Sequence, residues 1–124
     1  MARVQQFFFD TYALVERQSG NPAYSPFAAA AIFTHQYNVY EFIAAILRVA
    51  DESRAREEVR LLGPNLVEAE TDDLFAAARF RTEQVTKRVS YVDALGYVLA
   101  KKHGMRFLTG DKAFKGIDNV EFVP

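Results

Sequence analysis

Four acidic residues stand where a carboxylate can do chemistry: Asp10, Glu41, Asp93 and Asp111. Asp10 follows the apolar run Val4 to Phe9, and Asp111 follows Met105-Arg-Phe-Leu-Thr109-Gly110. Asp93 lies in Ser90-Tyr-Val-Asp93, at the opening of a helical pattern, and Glu41 lies inside another, Tyr40-Glu41-Phe42. Carboxylate oxygens from separate segments are the donors that Mg²⁺ or Mn²⁺ prefers, with water filling the remaining octahedral positions. Hydroxyls at Thr11, Ser90 and Thr109 adjoin three of the acids and can hold a ligand water or fix a carboxylate rotamer. Every one of these residues also has a structural use. Ser90-x-x-Asp93 fits a capping box, and Asp10 and Asp111 fit N-caps. The three hydroxyls fit caps or turns. Glu41 has Tyr37, Asn38, Ala44 and Ala45 at helical spacing, no base among them, and fits an exposed, unpaired helical acid. Asp118 reads as a further acid or as a turn residue.

The elements that must position these acids follow from periodicity. Val4 to Phe9 suits the leading, buried strand of a mostly parallel sheet, and a helix follows from Tyr12 to Gln18. Ser19-Gly20-Asn21-Pro22 stops it, and the loop to Pro26 is rich in breakers. Phe27 to Thr34 is ambiguous, with Ala31 to Thr34 open to a short strand. From Gln36 to about Ala50 the helical period is clear, with Val39, Phe42, Ile43, Ile46 and Ala50 as its core stripe. Asp51 to Leu62 reads as a charged amphipathic helix with Val59 and Leu62 inward, and Asn65 to Ala69 as a short strand. Thr71-x-Asp73 is placed to cap a helix from Leu74 to about Lys87, with Leu74, Ala78 and Val85 inward. Ser90 caps the helix carrying Val92, Leu95, Gly96 and Leu99, which Gly104 ends. Met105 to Thr109 is an apolar strand, and Val120 to Val123 closes the chain as another. The order implies an α/β sandwich with a parallel-biased sheet, in which Asp10, Asp93 and Asp111 face the crevice at the carboxyl ends of the strands.

Composition narrows the alternatives. The chain has 124 residues, half of them hydrophobic and a quarter charged, which suits one folded domain spanning residues 1–124. It has no cysteine, which excludes disulfides and thiolate metal sites, and His35 and His103 lack zinc-type spacing. No apolar run approaches the length of a membrane span, and no signal peptide is apparent, so a soluble cytoplasmic protein is expected. The net charge of −1 neither announces nor excludes a nucleic-acid partner, because local basic surface decides that. Three basic clusters stand out: Arg54, Arg56 and Arg60; Arg79, Arg81, Lys87 and Arg88; and Lys101, Lys102, Arg106, Lys112 and Lys115. A haloacid-dehalogenase-like phosphatase would need an Asp where Tyr12 stands, and a receiver domain an acidic pair where Asp10-Thr11 stands. A Rossmann domain would need a Gly-rich turn after the first strand.

Phe7-Phe-Phe-Asp10-Thr11, Tyr40-Glu41-Phe42, Ser90-x-x-Asp93-Ala94-Leu95 and Phe107-Leu-Thr109-Gly110-Asp111-Lys-x-Phe114 resemble the successive acidic motifs of PIN-domain nucleases. The short single-domain form is similar to the toxin ribonucleases of VapBC-type toxin–antitoxin pairs. The likeness covers nearly the whole chain. Tyr12 departs from it, standing where the family often has a small residue, and Asp51 to Glu70 matches nothing distinctive. The resemblance implies a PIN-like three-layer α/β/α sandwich with a mainly parallel sheet. It implies that Asp10, Glu41, Asp93 and Asp111 bind Mg²⁺ or Mn²⁺ for hydrolysis of RNA phosphodiester bonds to a 5′-phosphate and a 3′-hydroxyl. Lys112 and Lys115 would hold the RNA backbone. It further implies a protein antitoxin whose segment enters the acidic cleft, and a homodimer, with Tyr12, Tyr24 and Phe27 available to that groove or to the dimer face. The alternative is a non-catalytic PIN-like RNA-binding or scaffold module.

Overall fold

The computed structural model describes residues 4–84 and 87–124. Its elements, in chain order, are β1 (Phe7–Phe9), α1 (Thr11–Ser19), β2 (Ile32–Thr34), α2 (Gln36–Leu47), α3 (Glu52–Leu62), β3 (Asn65–Leu66), α4 (Thr71–Glu83), α5 (Tyr91–Lys102), β4 (Arg106–Thr109) and β5 (Val120–Phe122). Short 3₁₀ turns occupy Pro22–Phe27 and Lys112–Phe114.

The five strands form one sheet in the order β3-β2-β1-β4-β5, and every pairing is parallel. A parallel sheet must be covered on both faces, which is why its strands are apolar without alternation. The pleat then sorts their side chains. Phe8 and Phe107 are in register and point to one face, where their rings stack at 5.9 Å and meet Leu95, Tyr97, Leu99 and Phe114. Phe9 and Leu108 point to the other, among Leu14, Tyr24, Phe27, Ile32, Phe42 and Ile46. α4 and α5 therefore cover one face and α1, α2 and α3 the other, giving the expected three layers.

Close approach of α5 to the sheet depends on Gly96. A Cβ there would lie 2.8 Å from a ring carbon of Phe8 and 3.1 Å from one of Phe107.

Several expectations shift. β1 begins at Phe7 rather than Val4, because Gln5, Gln6 and Val4 remain exposed beyond the sheet. The second helix ends at Leu47 and leaves Ala50 in solvent, since the chain turns there so that Asp51 can cap α3 through the Arg54 amide. α4 begins at Thr71 rather than Leu74, with Asp73 accepting the Glu70 amide at 2.8 Å. Its inner face is Asp73, Ala77 and Phe80, spaced four and three apart, whereas Leu74 and Ala78 are exposed. Phe80 decides that rotation by stacking on Tyr97 at 4.3 Å. Val85 lies outside the described residues. Tyr24 and Phe27 are buried in the core, Tyr24 donating to the Val123 carbonyl, so neither offers an exposed aromatic face.

Candidate active site

In the sheet order, the chain leaves β1 towards β2 on one side and later returns to β4 on the other. This reversal opens a crevice at the carboxyl ends of β1 and β4, the place where open α/β sheets bind ligands. Asp10 directly follows β1 and Asp111 comes two residues after β4, so backbone topology alone brings residues about a hundred positions apart to one edge. α2 and α5 bring Glu41 and Asp93. All four acids line one cavity of about 520 Å³, together with Thr11, Tyr12, Glu16, Ala45 and Arg48.

Two of these acids, Asp10 and Asp111, are helix-start caps as well as cavity residues. Asp10 is the N-cap of α1, with one carboxylate oxygen accepting the Ala13 amide at 2.8 Å. Its other oxygen accepts the hydroxyl of buried Thr109, and that hydroxyl accepts the Asp111 amide at 3.0 Å. Thr109 therefore ties the two strand-end acids together. Asp111 caps its own 3₁₀ turn through the Ala113 amide at 2.9 Å. Capping fixes each carboxylate at the amide-lined start of a helical turn.

The remaining two acids are held differently. The Thr11 hydroxyl donates to Glu41 at 2.5 Å and accepts from the Asn38 side-chain amide at 3.3 Å. Asn38 is fully buried, and its carbonyl oxygen has no protein partner. Ser90 caps α5 by accepting the Asp93 amide at 3.1 Å. The reciprocal half of a capping box, from the Asp93 carboxylate to the Ser90 amide, is not formed, which leaves that carboxylate to the cavity. Each of the three hydroxyls singled out in the sequence thus touches an acid or its backbone.

Electrostatics sets this cluster apart from ordinary surface acids. Burial pushes the Asp10 carboxyl well above its usual range, and the nearby charges of Asp93 and Asp111 push it further, against the pull of Thr109 and the Ala13 amide. Asp93 is raised to about 6, first by desolvation and then by Asp111 and Glu41, with Ser90 pulling the other way. Among the described residues, no three acid or histidine side chains converge closely enough to enclose a metal by themselves. The donor chemistry nevertheless fits a hard divalent cation. Such ions keep several waters, so widely spaced carboxylates suffice, and the repulsion that raises two of these acids is relieved by positive charge.

Asp118 is a turn residue outside this cavity. It accepts from the Tyr97 hydroxyl at 2.9 Å and from Lys101 at 3.0 Å, and both hold its carboxyl below the usual range. Lys112 and Lys115 do not line the cavity, and the cation on its wall is Arg48. Of the basic clusters, Arg54, Arg56 and Arg60 are each paired with a glutamate on α3. Lys101, Lys102 and Arg106 are paired as well. Sequence reasoning missed Asn38, Glu16 and Arg48. The first had a usable signal, a polar residue one turn before Glu41 on the helix's inner side.

The PIN-domain family model matches residues 7–120. The chain belongs to the PIN-domain family. Among solved structures this PIN domain is similar to a toxin–antitoxin complex from Klebsiella pneumoniae, at 21% identity over 96% of this chain and 98% of that chain, with a TM-score of 0.76. It is similar to Mycobacterium tuberculosis VapC20, a toxin that cleaves the sarcin–ricin loop, at 17% identity over 96% and 100% of the two chains, with a TM-score of 0.75. VapBC2 of Rickettsia felis, bound to a DNA fragment from its promoter, matches at 15% identity over 95% and 97%, with a TM-score of 0.73. At these identities the likeness is one of fold. No curated protein matches the chain by sequence. No described helix of this PIN domain is long and apolar enough to cross a membrane.

Proposed function

We propose that this PIN domain is a Mg²⁺- or Mn²⁺-dependent endoribonuclease and the toxin of a toxin–antitoxin pair. The observation that carries the reading is the convergence of Asp10, Glu41, Asp93 and Asp111, from four separate segments, on one cavity where burial and mutual repulsion raise two of them. A cluster of that kind works against folding stability, so its use lies elsewhere.

These four carboxylates would hold the ion. When bound, it supplies Lewis-acid chemistry, activating a water for in-line attack on phosphorus and offsetting charge on the phosphate oxygens. The protein's own contribution is placement. Thr109 and the Ala13 amide orient Asp10, the Ala113 amide orients Asp111, and Asn38 acting through Thr11 orients Glu41. Arg48 offers the cavity wall one cation for an RNA phosphate, a contact that positions the strand without reading its sequence. No histidine lines the cavity, so proton transfer in this scheme falls to carboxylates and water.

Toxin–antitoxin complexes among the structural relatives support a protein antitoxin as partner, one whose segment would enter the acidic cleft, and the toxin itself is expected to be a homodimer in the cytoplasm. Incubation of structured and unstructured RNAs with Mn²⁺ tests the activity: the parent cuts and Asp10→Ala does not. A parent that leaves RNA intact and shows no heat of Mg²⁺ or Mn²⁺ binding at millimolar metal would instead be the scaffold module.

A further inference from the structure

We propose that Tyr12 is a nucleobase-stacking subsite beside the acidic cluster, taking an unpaired base next to the scissile phosphate of single-stranded RNA; this rests on the nuclease reading above. Tyr12 is the aromatic residue on the cavity wall that Asp10 and Asp111 also line, and it is 37% exposed. The other exposed aromatics, Tyr37, Tyr40, Phe75 and Tyr91, do not line that cavity.

The ring is seated, not loose. A Cβ on Gly110 would come within 2.1 Å of the Tyr12 Cε1 and 2.5 Å of its Cζ, so the ring lies directly against the Gly110 backbone. Gly110 stands between Thr109 and Asp111, and Tyr12 stands two residues after Asp10. The platform is therefore anchored at both ends to the segments that carry the strand-end acids. An aromatic surface held in one orientation binds a base with little loss of side-chain freedom.

Charge explains why the site needs such a surface. Asp10, Glu16, Glu41, Asp93 and Asp111 face one cation, Arg48, around the same cavity. A divalent ion offsets part of this excess, but coulombic attraction for a polyanionic strand stays small. Stacking is indifferent to that charge and to base identity, and it favours single strands because paired bases keep their faces covered.

The test uses Tyr12→Leu, which keeps apolar bulk over Gly110 without a π face, and Tyr12→Phe, which keeps the face. In Mn²⁺-supported steady-state cleavage of an unpaired oligoribonucleotide, Tyr12→Leu raises KM roughly tenfold with a smaller change in kcat, and Tyr12→Phe restores the parent KM. A second readout is independent of cleavage: a 2-aminopurine-containing oligoribonucleotide is quenched on binding to Asp93→Asn, and adding Tyr12→Leu to that protein removes the quenching. Equal KM and equal quenching with Leu and Phe would overturn the stacking subsite. A parent that cuts no RNA would overturn the nuclease reading, while the quenching would still decide Tyr12.

Discussion

Replacing Asp93 by Asn removes a carboxylate that the fold holds against its own preference. Its pKa is raised from 3.8 to about 6, so the folded chain binds a proton there more tightly than the unfolded chain does. Between those values the folded state carries more bound protons, and stability falls as pH rises through the window. Above pH 6 the cost is complete, and a shift of about two pH units corresponds to about 3 kcal/mol. Below pH 4 the carboxyl is protonated in both states and the cost vanishes. Metal-free Asp93→Asn is therefore expected to melt above the parent at pH 7.5, by on the order of ten degrees for a domain of this size, and level with it at pH 4. Mg²⁺ should narrow the gap at neutral pH, because the parent, with the full set of carboxylates, gains more stability by binding the ion. Thermal melts by circular dichroism in EDTA, then in millimolar Mg²⁺, make the comparison. A variant that melts lower than the parent at both pH values without metal would refute the reasoning, since it would mean that the carboxylate serves the helix start rather than the cavity.

Thr11→Val cuts the link from Asn38 to Glu41 while keeping the shape of the side chain. It is expected to weaken Mn²⁺ binding, read by calorimetry, by 10- to 100-fold, with a change in stability of about 1 kcal/mol. Gly110→Ala drives a methyl group into the Tyr12 ring and to 2.5 Å from the Val123 carbonyl, so denaturant melts should show a loss of about 1–3 kcal/mol. Asp118→Asn breaks a largely exposed pair with Lys101, so RNA cleavage should be unchanged and stability within about 1 kcal/mol of the parent.

Legibility tracked how local each determinant is. The Ser90 cap, the Gly104 stop and the stripe of Leu95, Gly96 and Leu99 were readable because capping and periodicity act within a few residues. The same holds for Asp51 before α3. The facing of α4 was misread from Leu74 and Ala78, since the rotation of a helix with scattered alanines is decided by its partner, here Tyr97 against Phe80. Tyr24 and Phe27 lie in a stretch rich in turn residues that suggests surface, yet the sheet closes over them. Lys112 and Lys115 are close to Asp111 along the chain but outside the cavity, whereas Arg48 reaches it from the C-cap of α2.

By itself, the sequence determined which residues carry charge, which runs are apolar enough to be strands covered on both faces, and which segments are helices, because propensity, capping and hydrophobic period are properties of short segments. It also supplied the resemblance to PIN domains, and the family match bears that membership out. Only the tertiary structure decided that Asp10, Glu41, Asp93 and Asp111 share one cavity, and that Asp118 does not. The order β3-β2-β1-β4-β5 makes that choice: parallel pairing aligns the carboxyl ends of β1 and β4, and chain reversal between them opens the crevice into which helices from both layers lower their acids.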